Sequence, residues 1–146
     1  MNKPPLNPNF KTDVAESFKA QQAMALIRAS LPVIEHGCVE IHMPWWEGIT
    51  QQNGFVHGGV VGMVADSSAG YAAMTVAPAG AAVLSVEYKI NFTAPAVGHT
   101  IIGRGEVIKP GRTLIVSKAD IYAVSDAGEK LCATMQQTIM VLPQGV

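Results

Sequence analysis

The stretch QQNGFVHGGVVGMVAD, residues 51–66, gathers the groups of this chain best suited to act on a carbonyl. His57 is followed by Gly58 and Gly59, and then by a Pro-free run of small and apolar residues that reaches Ala77. If that run is a helix, the first-turn amides of Gly58 and Gly59 have no intrahelical acceptor and sit at the positive end of the helix dipole. With no side chain at either position, an oxygen gathering negative charge can approach those N–H groups closely. Asp66 is the only acid in the run, and a carboxylate on a buried helix needs a partner or a purpose. The pattern reads as a carbonyl-polarising amide plus an acid that acts as base or nucleophile.

Each feature also has a plainer reading. A Gly-Gly pair can serve a turn or close packing, a buried Asp can satisfy a structural partner, and His57 can be a hydrogen-bonding core residue. The ordered combination carries the chemical reading. The rise from Gly58 to Asp66 is ~12 Å along a helix, too far for both to act on one carbonyl. A second copy of the helix, antiparallel to the first, would place each chain's Gly58 near the other chain's Asp66. A two-fold dimer does this twice, so paired sites across a homodimer are expected.

The elements that must position these groups follow from periodicity. The run 60–77 predicts one helix of about 18–20 residues, apolar nearly all round and therefore buried. Ahead of it, residues 1–11 read as an extended arm. Asp13 and Glu16 resemble a capping box, and Pro32 closes a helix over 13–30. Residues 33–43 read as one strand with Val39, Ile41 and Met43 on one face. Trp45 and Trp46 are expected to cover core or interface. After the Pro78-Ala79-Gly80 stop, residues 83–93 alternate, with Leu84, Val86, Tyr88, Ile90 and Phe92 on one face. Val83, Ser85, Glu87, Lys89 and Asn91 share the other. Further strands are predicted at 100–108, 113–124 and 130–142. Lys109-Pro110-Gly111-Arg112 fits a type II turn and Ser125-Asp126-Ala127-Gly128 a hairpin turn.

Composition bounds the rest. The chain has 146 residues, 49% hydrophobic and 14% charged, which suits one domain whose surface is largely covered by other subunits. A net charge of −1 gives no general reason to expect nucleic acid. No Lys or Arg occurs between Arg28 and Lys89, whereas Lys89, Arg104, Lys109, Arg112 and Lys118 lie close together. An anionic ligand group is therefore expected on the C-terminal half, unless those cations form a solvated face. Cys38 and Cys132 sit in strand-like surroundings as small hydrophobes, and neither they nor His36, His42, His57 and His99 show a metal-ligand pattern. The N-terminus lacks an apolar signal core, and Asp66 with its neighbouring serines and glycines argues against a membrane span. A cytoplasmic protein is the expectation, with an arm and helix at 1–32 and a single domain at 33–146.

One long buried helix wrapped by an antiparallel sheet and entered through His-Gly-Gly resembles the α+β hotdog fold. More narrowly, QQNGFVHGGVVGMVAD (51–66), LSVEYKINFTAPA (84–96) and KPGRTL (109–114) resemble the acyl-CoA thioesterases related to the phenylacetate-degradation protein PaaI. The resemblance implies that Asp66 acts as nucleophile or general base and that the Gly58 amide polarises the thioester carbonyl. It implies that Ser85 helps place the attacking water, with His57 and Gly59 forming the turn at the substrate. It further implies that Lys109, Gly111, Arg112 and Thr113 lie where the CoA nucleotide is held. Many relatives carry Asn six residues before the His. Gln51 stands there in this chain, and Gln51 or Asn53 would contact the thioester. No cofactor is implied, since CoA belongs to the substrate, and a homotetramer built from two dimers is the expected assembly. Two other functions stay open: a non-catalytic acyl-CoA binding or sensing module, and a hotdog hydratase or dehydratase that would recruit His57.

Overall fold

Helix α3 (Gly58–Met74) is the axis of the structure, a computed structural model that describes residues 4–143. It carries no Pro and is buried over most of its surface, including Val61, Val64, Ala65, Ser68, Ala69, Ala72 and Ala73. The predicted helix over 60–77 therefore starts earlier, because His57 caps it, and ends earlier. Thr75 follows its last turn, and the Thr75 hydroxyl accepts from the Gly37 N–H at 2.7 Å.

A six-stranded antiparallel sheet wraps this helix. Its strands are β1 (Ser30–Glu35), β2 (Cys38–Pro44), β3 (Ala82–Phe92), β4 (Thr100–Lys109), β5 (Leu114–Ser125) and β6 (Gly128–Leu142). Their spatial order is β1-β2-β4-β5-β6-β3, so β1 and β3 are the edges. The expected single strand at 33–43 is two strands. His36-Gly37 turns the chain between them, with Gly37 at φ 86° where only glycine is at ease. Val39, Ile41 and Met43 do share a buried face.

Helix and sheet approach closely because β4 carries two glycines beneath α3. A Cβ on Gly103 would lie 2.4 Å from Ser68 Oγ, and one on Gly105 2.0 Å from the Ser68 carbonyl oxygen. The small residues Ser68 and Ala69 thus serve this close contact. Gly111 does not take the positive φ of a type II turn. It is required because a Cβ there would meet the Leu114 carbonyl oxygen at 2.1 Å. The two-residue hairpin at Asp126-Ala127 forms as expected, with Gly128 at φ 106°.

The expected helix over 13–30 is two helices, α1 (Phe10–Ala20) and α2 (Gln22–Leu26), separated by extended backbone at Gln21. Asp13 does not begin a capping box. It lies inside α1 and accepts from Asn7 Nδ2 at 2.7 Å. Val14, Met24 and Ile27 join the same core as α3, and Phe18 stacks edge-on against Tyr71 with ring centroids 5.7 Å apart. Trp46 packs against that core beneath the Arg28 guanidinium, 4.1 Å from its ring centroid, whereas Trp45 is exposed. Cys38 and Cys132 are free thiols, both pushed up in pKa first by burial. No helix among the described residues is long and apolar enough to cross a membrane.

Candidate active site

The first turn of α3 leaves one amide free. His57 is its N-cap, and Nδ1 accepts from the Gly59 N–H at 2.9 Å, which places the ring proton on Nε2. Val60 and Val61 donate to the His57 carbonyl at 2.9 and 3.1 Å. Gly58 N–H alone in this turn has no acceptor among the described residues. Gly59, grouped with Gly58 in the sequence reading, is thereby removed as a donor, and His57 is the residue that removes it.

Gly58 opens into a cavity of about 380 Å³ lined by Gln51, Phe55, Val61, Phe92 and Ala94. The Phe92 ring lies against the glycine, 3.3 Å from where a Cβ would stand. Gln51 rather than Asn53 lines this space. Gln51 Oε1 accepts from the Asn53 N–H and tightens the Gln51–Gly54 turn, leaving its NH2 without a partner among the described residues.

Asp66 belongs to a second cavity of about 510 Å³, walled by Ser85, Ser67, Gly70, Tyr71 and Met74 and closed by Asn7, Asp13, Ser17 and Gln21 from the N-terminal segment. Ser85 Oγ donates to Asp66 Oδ1 at 2.7 Å. This pairing contradicts strict alternation along β3. Ser85 pairs with Ile139 and Glu87 with Thr138, so Val86 is an extra residue, a β-bulge. Ser85 therefore shares the inward face with Tyr88, Ile90 and Phe92, not with Glu87, Lys89 and Asn91. Along one face of α3, Gly58 meets Phe92, Gly62 meets Tyr88 and Asp66 meets Ser85.

One site residue was missed from sequence. Gln137 on β6 is fully buried, and its Nε2 donates to Asp66 Oδ1 and to Ser85 Oγ, the latter at 2.5 Å. Its Oε1 has no partner among the described residues. A buried unpaired carbonyl of this kind costs about 1–3 kcal/mol. The parity of Ala133, Met135, Gln137, Ile139 and Val141 on one strand was the available signal, because it turns this amide inward among apolar neighbours.

Of the five cations noted in the C-terminal half, Lys89 donates to Asn91 Oδ1, and the other four divide into two sets. Arg104 is held by Glu40 at 2.8 Å and, through both terminal nitrogens, by Glu129, and these contacts drive its pKa up. Lys118 pairs with Glu106 at 3.1 Å. Lys109 ends β4 and Arg112 lies in the exposed Gly111-Arg112-Thr113 loop, and neither forms a salt bridge among the described residues. That loop lines neither cavity. Among the described residues, no three His, Cys, Asp or Glu side chains gather to hold a metal ion.

Residues 53–130, which include His57, Asp66 and Ser85, match the family described as the thioesterase superfamily. The chain belongs to the thioesterase superfamily. A Saccharolobus solfataricus protein whose name proposes an esterase activity is 32% identical over 121 residues, 82% of this chain and 84% of that one. A thioesterase family protein from Silicibacter pomeroyi is 45% identical and superposes with a TM-score of 0.89, covering 91% of this chain and 98% of that one. The Escherichia coli PaaI protein from the phenylacetic acid degradation operon shares the fold at a TM-score of 0.82 with 16% identity, over 95% of this chain and 97% of that one. The α+β architecture is that of hotdog thioesterases, a helix wrapped by an antiparallel sheet.

Proposed function

We propose that this thioesterase-family protein hydrolyses acyl-CoA thioesters in a site shared by two chains of a homodimer. The observation that carries the reading is the separation of the two half-sites. The free Gly58 amide and Gln51 line one cavity, whereas Asp66 and Ser85 line another, eight residues along the same helix. Gly62 lies midway, buried beneath Tyr88. A two-fold axis near Gly62 exchanges positions 58 and 66 and completes both sites at once. The edge strand β3 supports the same axis, since it exposes Leu84, Val86, Tyr88 and Phe92 along an unpaired edge.

In this reading the thioester carbonyl accepts from the partner's Gly58 N–H and from the Gln51 amide beside it. Water held at Asp66 attacks the carbonyl carbon, and the carboxylate takes its proton. The oxyanion forms against the helix N-terminus, where such donors contribute most. Collapse of the intermediate breaks the C–S bond, and the thiolate of CoA leaves with the proton returned from Asp66. If Asp66 attacks directly, a mixed anhydride forms and water then cleaves it. Label found in the Asp66 carboxyl after single-turnover hydrolysis in 18O-water would mark the anhydride route, since general-base attack puts label only in the product acid.

The cavity at Asp66 has the volume of a small-ligand pocket and suits an aromatic or medium-chain acyl group. Lys109 and Arg112, with Gly111 and Thr113, are assigned to the CoA phosphates. The chemistry draws on protein groups and water, without a cofactor, in a cytoplasmic enzyme whose dimers pair into a tetramer. A hydratase or dehydratase is disfavoured because the Gly59 amide occupies His57 Nδ1 and leaves the ring proton on Nε2, so neither nitrogen is free to take a proton. The test is free-thiol release from aromatic and aliphatic acyl-CoAs by the wild type and by Asp66→Asn. Release that collapses in the variant with assembly intact supports hydrolysis. Acyl-CoA binding by both proteins without release would make the protein a binding module.

A further inference from the structure

Gln137 stands out on the inward face of β6, where its neighbours Ala133, Met135, Ile139 and Val141 are apolar and buried. It completes a triangle with the acid and the hydroxyl. Gln137 Nε2 donates to Asp66 Oδ1 and to Ser85 Oγ, and Ser85 Oγ donates to Asp66 Oδ1 at 2.7 Å. Oδ1 thus receives two donors, while Oδ2 has no partner among the described residues. An ionised carboxylate repels an amide oxygen, so the amide must face Asp66 with its NH2, and Oε1 is left buried and unpaired. An apolar side chain of the same volume would pack there without that penalty. The amide is therefore explained by what its N–H groups hold, not by packing.

We infer that Gln137 is a positioning residue for the reaction proposed above, on which this inference rests. By fixing Oδ1, it presents Oδ2 as the oxygen that meets water. By donating to the Ser85 oxygen, it also commits the Ser85 proton to Asp66. Ser85 then orients the acid through its donated proton, while its own oxygen is held by the amide it accepts from.

The experiment measures thiol release from phenylacetyl-CoA by the assembled protein, comparing wild type with Gln137→Met, Ser85→Ala and the double variant. Gln137→Met is expected to lower kcat roughly tenfold, the scale of a lost hydrogen bond to a charged group, with KM little changed. The double variant should be no worse than the poorer single one, because the two residues act as a unit. Gln137→Glu supplies a second reading that does not depend on how Met folds. A protonated carboxyl can donate as the amide does, so activity relative to wild type should recover as the pH falls. An unchanged kcat, an effect on KM alone, multiplicative losses in the double variant, or a pH-independent ratio for Gln137→Glu would each overturn the assignment. A wild type that releases no thiol from any acyl-CoA would overturn the hydrolase reading with it. Wild-type hydrolysis with an indifferent Gln137→Met would overturn this inference alone.

Discussion

Ser85 donates its hydroxyl proton to Asp66 Oδ1 at 2.7 Å, and it faces Asp66 because Val86 is an extra residue in β3. Strict alternation would turn Leu84 and Val86 inward with Tyr88 and would send Ser85 outward with Glu87. The bulge changes the parity of the strand between Ser85 and Glu87. The aromatic residues stay over the glycines of α3, and a hydroxyl comes to lie against its acid.

This relationship predicts the outcome of exchanging two neighbours. Ser85→Val combined with Val86→Ser leaves composition and length unchanged but moves the hydroxyl off the inward face. Thiol release should fall as far as in Ser85→Ala, roughly tenfold. Retained activity would show that β3 alternates without the bulge.

The free amide predicts a substitution that removes one atom's function. Position 58 is the first residue of α3, where proline is well tolerated, and His57 has the extended backbone (φ −60°, ψ 135°) that a following proline requires. Gly58→Pro deletes the N–H while preserving the helix start. We expect kcat to fall by roughly 10²–10³, with a smaller loss of thermal midpoint as the Phe92 ring, 3.3 Å from a Cβ here, gives way. A large loss of stability with proportionate loss of activity would instead make Gly58 a packing residue.

The charged outer face predicts a modest acid sensitivity. Burial pushes the Glu40 carboxyl up, but hydrogen bonds from Arg104 and His42 outweigh it and hold the group below its ordinary 4.5. Glu40 then stays charged in the folded chain at pH values where the unfolded chain protonates. Its contribution is complete above the unfolded value and is lost as pH falls through the folded one. Denaturant titrations of wild type and Glu40→Gln should converge below about pH 4.5. The difference at neutral pH should be within about 1 kcal/mol, because the pair is solvent-screened.

Much of this architecture was legible. The Pro-free apolar run announced α3, and alternation announced β3, β4, β5 and β6. Spacing alone placed His57 ahead of one helix that carries both Gly58 and Asp66, as α3 does. What escaped did so for physical reasons. The bulge at Val86 carries no glycine, so nothing in LSVEYKINF interrupts the pattern. The break at Gln21 lacks Pro or Gly and is set by packing on the core. Gln137 is the same residue type as Gln136, and only the strand parity it shares with Ala133, Met135, Ile139 and Val141 marks it as inward-facing and Gln136 as exposed. That Asn7, Asp13, Ser17 and Gln21 wall the Asp66 cavity follows from how α1 docks, which no local pattern encodes.

The shared site is tested most directly by complementation between Gly58→Pro and Asp66→Asn chains. Co-expressed with different tags, the mixed dimer pairs the intact Gly58 of one chain with the intact Asp66 of the other at one of its two sites. Random pairing of two inactive variants should then restore about a quarter of wild-type thiol release. All of that release should copurify with doubly tagged dimers. If mixed dimers form and remain as inactive as either parent, Gly58 and Asp66 do not meet across the interface, and the shared-site account is wrong.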